Sequence, residues 1–164
     1  MTLFEYFANY WGESKTKEVH FMWGIIIAIL SGALMSIQGV FNTQVTKVSG
    51  IWAAASFVQA FALAVCLSAW AVVERKSLLA VFSVTPKYML LGGAIGAFIT
   101  ITVIKSMEHL GPAKAVMIIV IAQLAVAYGI ELLGAFSVER QPFEWRKMLG
   151  LLIAIAGILI FKWK

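Results

Sequence analysis

Two groups of polar side chains interrupt the apolar stretches of this sequence, and they carry whatever chemistry it has. The first is Ser31, Gln38 and Asn42, with Gln44 just beyond. Gln38 and Asn42 stand at i and i+4, and Ser31 precedes Gln38 by two helical turns, so the three share one helix face. A carboxamide carries two N–H donors and an acceptor carbonyl. A pair of them on one face either grips a polar ligand or hydrogen-bonds a neighbouring helix. The second group is Gln123, Tyr128 and Glu131. Glu131 lies near the end of its apolar run, where it either reaches water or carries a proton. An acid ionised deep in a span would cost roughly 2.5–3.5 kcal/mol, which makes such residues functional by default.

The remaining candidates have plainer readings. Lys105, Glu108 and His109 cluster at the end of a run, where Lys105 and Glu108 can pair as a solvated helix end. His109 has no second histidine near it in sequence, which argues against a metal site. Lys114 can snorkel to the interface, and Gln59 reads as packing. The lone cysteine, Cys66, reads as a small buried apolar residue and excludes a disulfide within one chain. The sequence contains no serine–histidine–acid set and no cluster of metal ligands. Gly92-Gly93-Ala94-Ile95-Gly96 lies inside an apolar run, not between a strand and a helix. No cofactor is expected, and the sequence gives the enzyme class little support.

The elements that must position these residues are five apolar runs, near residues 20–46, 51–73, 87–106, 113–135 and 145–161. A hydrocarbon core about 30 Å thick takes roughly 20 residues of helix to cross. Within lipid each backbone N–H needs a partner in its own segment, so the runs are expected to be helices; their lack of alternation excludes a barrel. The expected fold class is an all-α polytopic membrane protein in two parts, 1–19 and 20–164. Hydrophobic residues are 62% of the chain and charged ones 13%, about half the usual share in a soluble domain. The net charge of +5 comes from Lys and Arg in turns and at span ends, where they meet headgroups rather than nucleic acid.

Residues 1–19 lack a basic leader and a continuous apolar core, so they do not read as a secretory signal. Leu3, Phe4, Phe7, Tyr10 and Trp11 fall at helical spacing and read as a short amphipathic helix in the interface. Glu13 to Glu18 read as a polar hinge. The loop from Glu74 to Pro86 holds Arg75, Lys76 and an apolar stretch, Leu78 to Phe82, that can dip into the interface. Five spans put the termini on opposite sides. Eight Lys and Arg then lie on the N-terminal side and five on the other, a bias toward a cytoplasmic N-terminus that leaves insertion in both orientations open. Copies inserted both ways could pair as an inverted repeat. Gly92 and Gly96 have the small-xxx-small spacing of a close helix contact. Gly150, Ala154 and Gly157 make a small-residue face on the last run, expected to serve scaffold or dimer contact.

Several of these features together resemble the small five-span YdcZ-like branch of the bacterial drug/metabolite transporter superfamily, over about residues 24 to 162. The carrying residues are Gly32 through Gln38 to Asn42, then Leu91-Gly92-Gly93-Ala94-Ile95-Gly96-Ala97 and Leu110-Gly111-Pro112-Ala113. Ala122-Gln123-Leu124 with Glu131 and Gly134 follow, and then Arg146 with Gly150. Ala122 stands where the family pattern has glycine, and Glu131 where it has aspartate. The resemblance implies half of a ten-span transporter, a cavity lined by the first four spans, and a partner in inverted orientation, a second copy or a homologous chain. The superfamily's four-span cation exporters use a Glu in mid first span; this chain has none there, which turns the expectation toward a neutral or zwitterionic metabolite.

The favoured expectation is a secondary transporter, an exporter of a small polar metabolite across the bacterial inner membrane by proton-coupled alternating access. Gln38, Asn42, Gln123 and Tyr128 would meet substrate, with Tyr128 closing the cavity, and Glu131 would carry the proton. The alternatives are a non-transporting membrane subunit, whose polar residues hold a partner, and a passive pore.

Overall fold

The computed structural model describes residues 3–162, with side chains from Glu18 to Phe161. The described residues are all-helical in their long elements, without strands. Five α-helices follow one another: α1 (Leu3–Ser49), α2 (Ile51–Ala69), α3 (Gly92–Leu110), α4 (Pro112–Leu133) and α5 (Trp145–Lys162). Among the described residues, four segments are long and apolar enough to cross a bilayer: Glu18–Ser49, Ile51–Glu74, Lys87–Leu110 and Pro112–Leu133. The last helix is shorter, and Arg146, Lys147 and Lys162 at its two ends reduce its apolar stretch.

The breaks between helices follow local chemistry. Gly50 and Gly111, at φ +80° and +77°, adopt backbone conformations that side chains disfavour, so each stops one helix and lets the next begin after a single residue. Pro112 then opens α4, where its missing N–H has no intrahelical partner to lose. α2 continues into one π-helical turn, Trp70–Glu74, closed by Arg75 in a left-handed conformation. A 3₁₀ turn at Lys87–Leu91, just after Pro86, leads into α3. The residues read as a polar hinge, 13–18, are helical; Glu and Lys are strong helix formers and do not by themselves break a helix. The expected interfacial face of residues 1–19 rests on side chains that lie almost wholly outside the described ones.

The chain divides into two units, residues 1–38 and 39–164. In the first, the helix exposes an apolar surface that includes Trp23, Ile27, Leu30 and Leu34. Ser36 returns its hydroxyl proton to the Gly32 carbonyl at 3.1 Å, which satisfies it without a partner helix.

In the second unit α2 packs on α3, α3 on α4 and α4 on α5. Its closed interior is small and lies toward one end. Apart from Tyr128 at the far end of α4, its buried side chains are Asn42, Thr43 and Thr46 near the end of α1, Ala54 and Ala55 at the start of α2, Ile104 and Met107 in the last turns of α3, and Ala115 at the start of α4. These eight belong to the end where single-residue turns join α1 to α2 and α3 to α4. Gly39 makes the approach of α1 to α3 possible. A Cβ there would collide with the Met107 methyl and stand 2.8 Å from its Sδ and 3.3 Å from Val103 Cγ1. Elsewhere large apolar side chains face outward, among them Phe57, Phe61, Ile95, Phe98, Val126 and Ile153. With lipid as solvent these faces are covered by acyl chains, so the outward surface is apolar.

Candidate functional site

Of the polar residues read from the sequence, Asn42 and Gln44 lie near the end of α1 and Tyr128 and Glu131 near the end of α4, at opposite ends of the second unit; Gln123 is midway along α4, and Ser31 and Gln38 belong to the first unit and are exposed. Asn42 is 8% exposed. Its neighbours Thr43 and Thr46 use their hydroxyls on their own helix, donating to the carbonyls of Gly39 at 2.8 Å and Asn42 at 2.9 Å. Those bonds leave the Asn42 carboxamide without a hydrogen-bond partner among the described residues. No fully enclosed side-chain nitrogen or oxygen among them lacks a partner, so the Asn42 amide reaches the edge of the buried layer. It is a polar head on a buried stem, presenting both donor and acceptor. Gln44 is spoken for differently, accepting from Lys47 Nζ at 3.1 Å on the exposed side.

Gln59, on α2, is half-buried and points toward α3, with its Nε2 3.9 Å from the place a Gly96 Cβ would occupy. The glycine thus admits an amide between α2 and α3. Gly92, its partner in the small-xxx-small pattern, has no atom within 4 Å of a Cβ position and opens outward. Gln123 is exposed at mid-length on α4, in a shallow groove of about 400 Å³ lined by Ala122, Val126, Ala127 and Ile130 of the same helix.

Tyr128 and Glu131 sit at the other end of α4, in a corner built by the chain folding back on that helix. Gly134, at φ +64°, ends α4 and lets the loop reverse. The returning loop then satisfies the carbonyls that a helix end leaves free. Gln141 donates its backbone N–H to the Glu131 carbonyl at 2.9 Å, and Arg140 Nε donates to the Leu132 carbonyl at 3.0 Å. Tyr128 is buried, and its hydroxyl makes two bonds to one residue. It accepts from the Glu144 N–H at 3.0 Å and donates to the Glu144 carbonyl at 3.2 Å. Glu144 immediately precedes α5, and its carbonyl also receives the N–H groups of Lys147 and Met148. One phenol therefore pins the start of α5 to α4.

The acid of this corner is paired. Lys147 Nζ lies 3.4 Å from Glu131 Oε2 and 3.1 Å from Glu144 Oε1, and 5.8 Å over the Tyr128 ring. Glu131 and Lys147 side chains are 42% and 40% exposed, so water screens the pair. Lys147 is thus shared between two acids, Glu131 on α4 and Glu144 just before α5. The small-residue face of α5 stays open: Gly150 and Gly157 have nothing within 4 Å of a Cβ position.

Sequence reasoning did not single out Gly39, Thr43, Thr46 or the Glu144–Lys147 partnership. An isolated glycine inside a helical run is a signal of close backbone approach, so Gly39 was findable. The others were not, because their roles depend on which face turns inward and how the last loop folds.

The family model described as "Putative inner membrane exporter, YdcZ" matches residues 23–160 of this chain. No curated protein and no solved structure matches it. The match takes in α2, α3 and α4 entirely and most of α1 and α5, and the chain belongs to that family of inner-membrane exporters.

Proposed function

We propose that this inner-membrane exporter moves a small polar metabolite, neutral or zwitterionic, by alternating access in exchange for protons. The observation that carries the substrate class is the Asn42 carboxamide. Among the described residues it has no protein partner, and it sits on an otherwise buried layer of α1, α2, α3 and α4. An amide in that position is satisfied by a ligand that both donates and accepts, and it offers no charge to hold a cation. Gln123, in its groove on α4, is the second amide assigned to substrate. Glu131 is the proton carrier, with Lys147 as the counter-ion that takes up Glu144 when the carboxyl is protonated. The working unit is an inverted pair, a second copy or a homologous chain, meeting at the Gly150, Ala154 and Gly157 face, which none of the described residues covers closely at either glycine.

The test is uptake into everted vesicles from cells producing the chain, with a panel of labelled neutral, zwitterionic and cationic metabolites. A neutral or zwitterionic compound should accumulate, and a protonophore should abolish its accumulation. Asn42→Ala should abolish that uptake at unchanged protein level, and Gln38→Ala is made alongside because the sequence gives it the same role. Full uptake by Asn42→Ala would overturn the substrate assignment, and uptake indifferent to the proton gradient would overturn the coupling.

A further inference from the structure

The corner between α2 and α3 is built differently from the single-residue turns at the other end. It runs from the π-helical turn at Trp70–Glu74 through a 3₁₀ turn, Leu78–Ser83, to the entry of α3 at Lys87. Arg75 and Lys76 stand just before the 3₁₀ turn and Lys87 just after it, three cations against one acid, Glu74. Two of the cations are fixed to backbone. Arg75 Nε donates to the Ala71 carbonyl at 2.7 Å, and Lys87 Nζ donates to the carbonyl of Phe82 at the end of the turn. The Lys76 carbonyl accepts the Trp70 indole N–H at 2.8 Å, while its ammonium is 3.5 Å from Glu74. The arginine keeps four further N–H donors and Lys87 two.

Between these charges the turn presents apolar side chains outward. Leu79 is 74% exposed and Phe82 63%, with Leu78 and Val81 beside them. Six residues of 3₁₀ helix advance about 12 Å, so the charges flank the turn at its two ends rather than springing from one point of the backbone. A row of anions with an apolar layer beneath fits both features at once: headgroups meet the cations while Leu79 and Phe82 enter the acyl boundary.

We propose that the α2–α3 corner, through Arg75, Lys76 and Lys87, is a binding surface for anionic phospholipid headgroups, with Leu78–Phe82 as its apolar foot. It concentrates acidic lipid at the end of the bundle where Tyr88, next to Lys87, meets Phe136 of the α4–α5 loop at 6.3 Å. That ring contact joins the corner to the loop that follows Glu131. The assignment is independent of substrate and coupling.

Trp70 gives a built-in reporter. In the full chain with the other five tryptophans replaced by Phe, reconstituted in phosphatidylcholine vesicles, a small fraction of brominated phosphatidylglycerol should quench Trp70 at least about twofold more than the same fraction of brominated phosphatidylcholine. Arg75→Gln, Lys76→Gln and Lys87→Gln together should erase that excess, and soluble glycerol phosphate should not. Equal quenching by the two lipids would overturn the proposal. So would an excess that survives the triple substitution, or one that glycerol phosphate removes, since the ligand would then be a free phosphate. A second chain, with Leu79 and Phe82 replaced by Ser, tests the foot: it should keep the dependence on acidic lipid but weaken it, and an unchanged excess would overturn the foot assignment.

Discussion

Tyr128→Phe separates two roles for that residue, because it removes one oxygen and leaves the ring. The ring's neighbours persist: Phe143 at 6.4 Å between centroids and Lys147 at 5.8 Å. What is lost is the pair of bonds to Glu144, at 3.0 and 3.2 Å. Taking about 0.6 kcal/mol per bond, the average measured inside membranes, gives about 1.2 kcal/mol. Taking the soluble-protein value of about 1 kcal/mol gives about 2 kcal/mol. The expected loss of folding stability is therefore about 1–2 kcal/mol, read as a shift in reversible denaturation of the purified chain in mixed micelles. Tyr128→Ala also removes the buried ring and should cost a further 3 kcal/mol or so, in the range of large-to-small aromatic substitutions. In both variants a cysteine placed at the start of α5 should become more reactive, since the phenol no longer pins that helix end. Tyr128→Phe as stable as the parent, with α5 labelling unchanged, would refute the argument that the phenol holds the α4–α5 corner. The hydroxyl would then be free for the cavity-closing role that its position in sequence suggests, and its loss would show in transport alone.

Gly39→Ala should cost at most about 1 kcal/mol, because the two nearest crowding atoms belong to the flexible end of Met107. Gly39→Leu should cost about 2 kcal/mol or more by overpacking, and Met107→Ala should relieve part of it in the double variant. For the ion pair, a double-mutant cycle on Glu131→Gln and Lys147→Met should return a coupling under about 1 kcal/mol in denaturation, since both side chains are about two-fifths exposed. A coupling of several kcal/mol would show that the pair is a buried structural bridge instead of an exchangeable one.

Hydropathy and punctuation alone determined most of the architecture. Runs of about 20 apolar residues can only be helices in lipid, and Gly50, Gly111-Pro112 and Gly134 mark where they stop, because those positions need backbone conformations other residues disfavour. The family followed from motifs spread in order along the same runs. What the sequence could not say is which face of each helix turns inward. A soluble helix announces its core by an apolar stripe, whereas a helix with lipid on one side and protein on the other is apolar on both, so the periodic signal fades. Gln38, Asn42 and Gln123 therefore looked alike as amides in apolar runs. Only the packing of α1, α2, α3 and α4 buried Asn42 and left Gln38 and Gln123 exposed. Tyr128 and Glu131 depended on a still longer reach. Their partners, Glu144 and Lys147, lie sixteen residues on, beyond a reversing loop, and no local preference specifies that meeting. It was decided by the helix-end carbonyls of α4, which need donors and find them in Arg140 and Gln141 as the chain turns back.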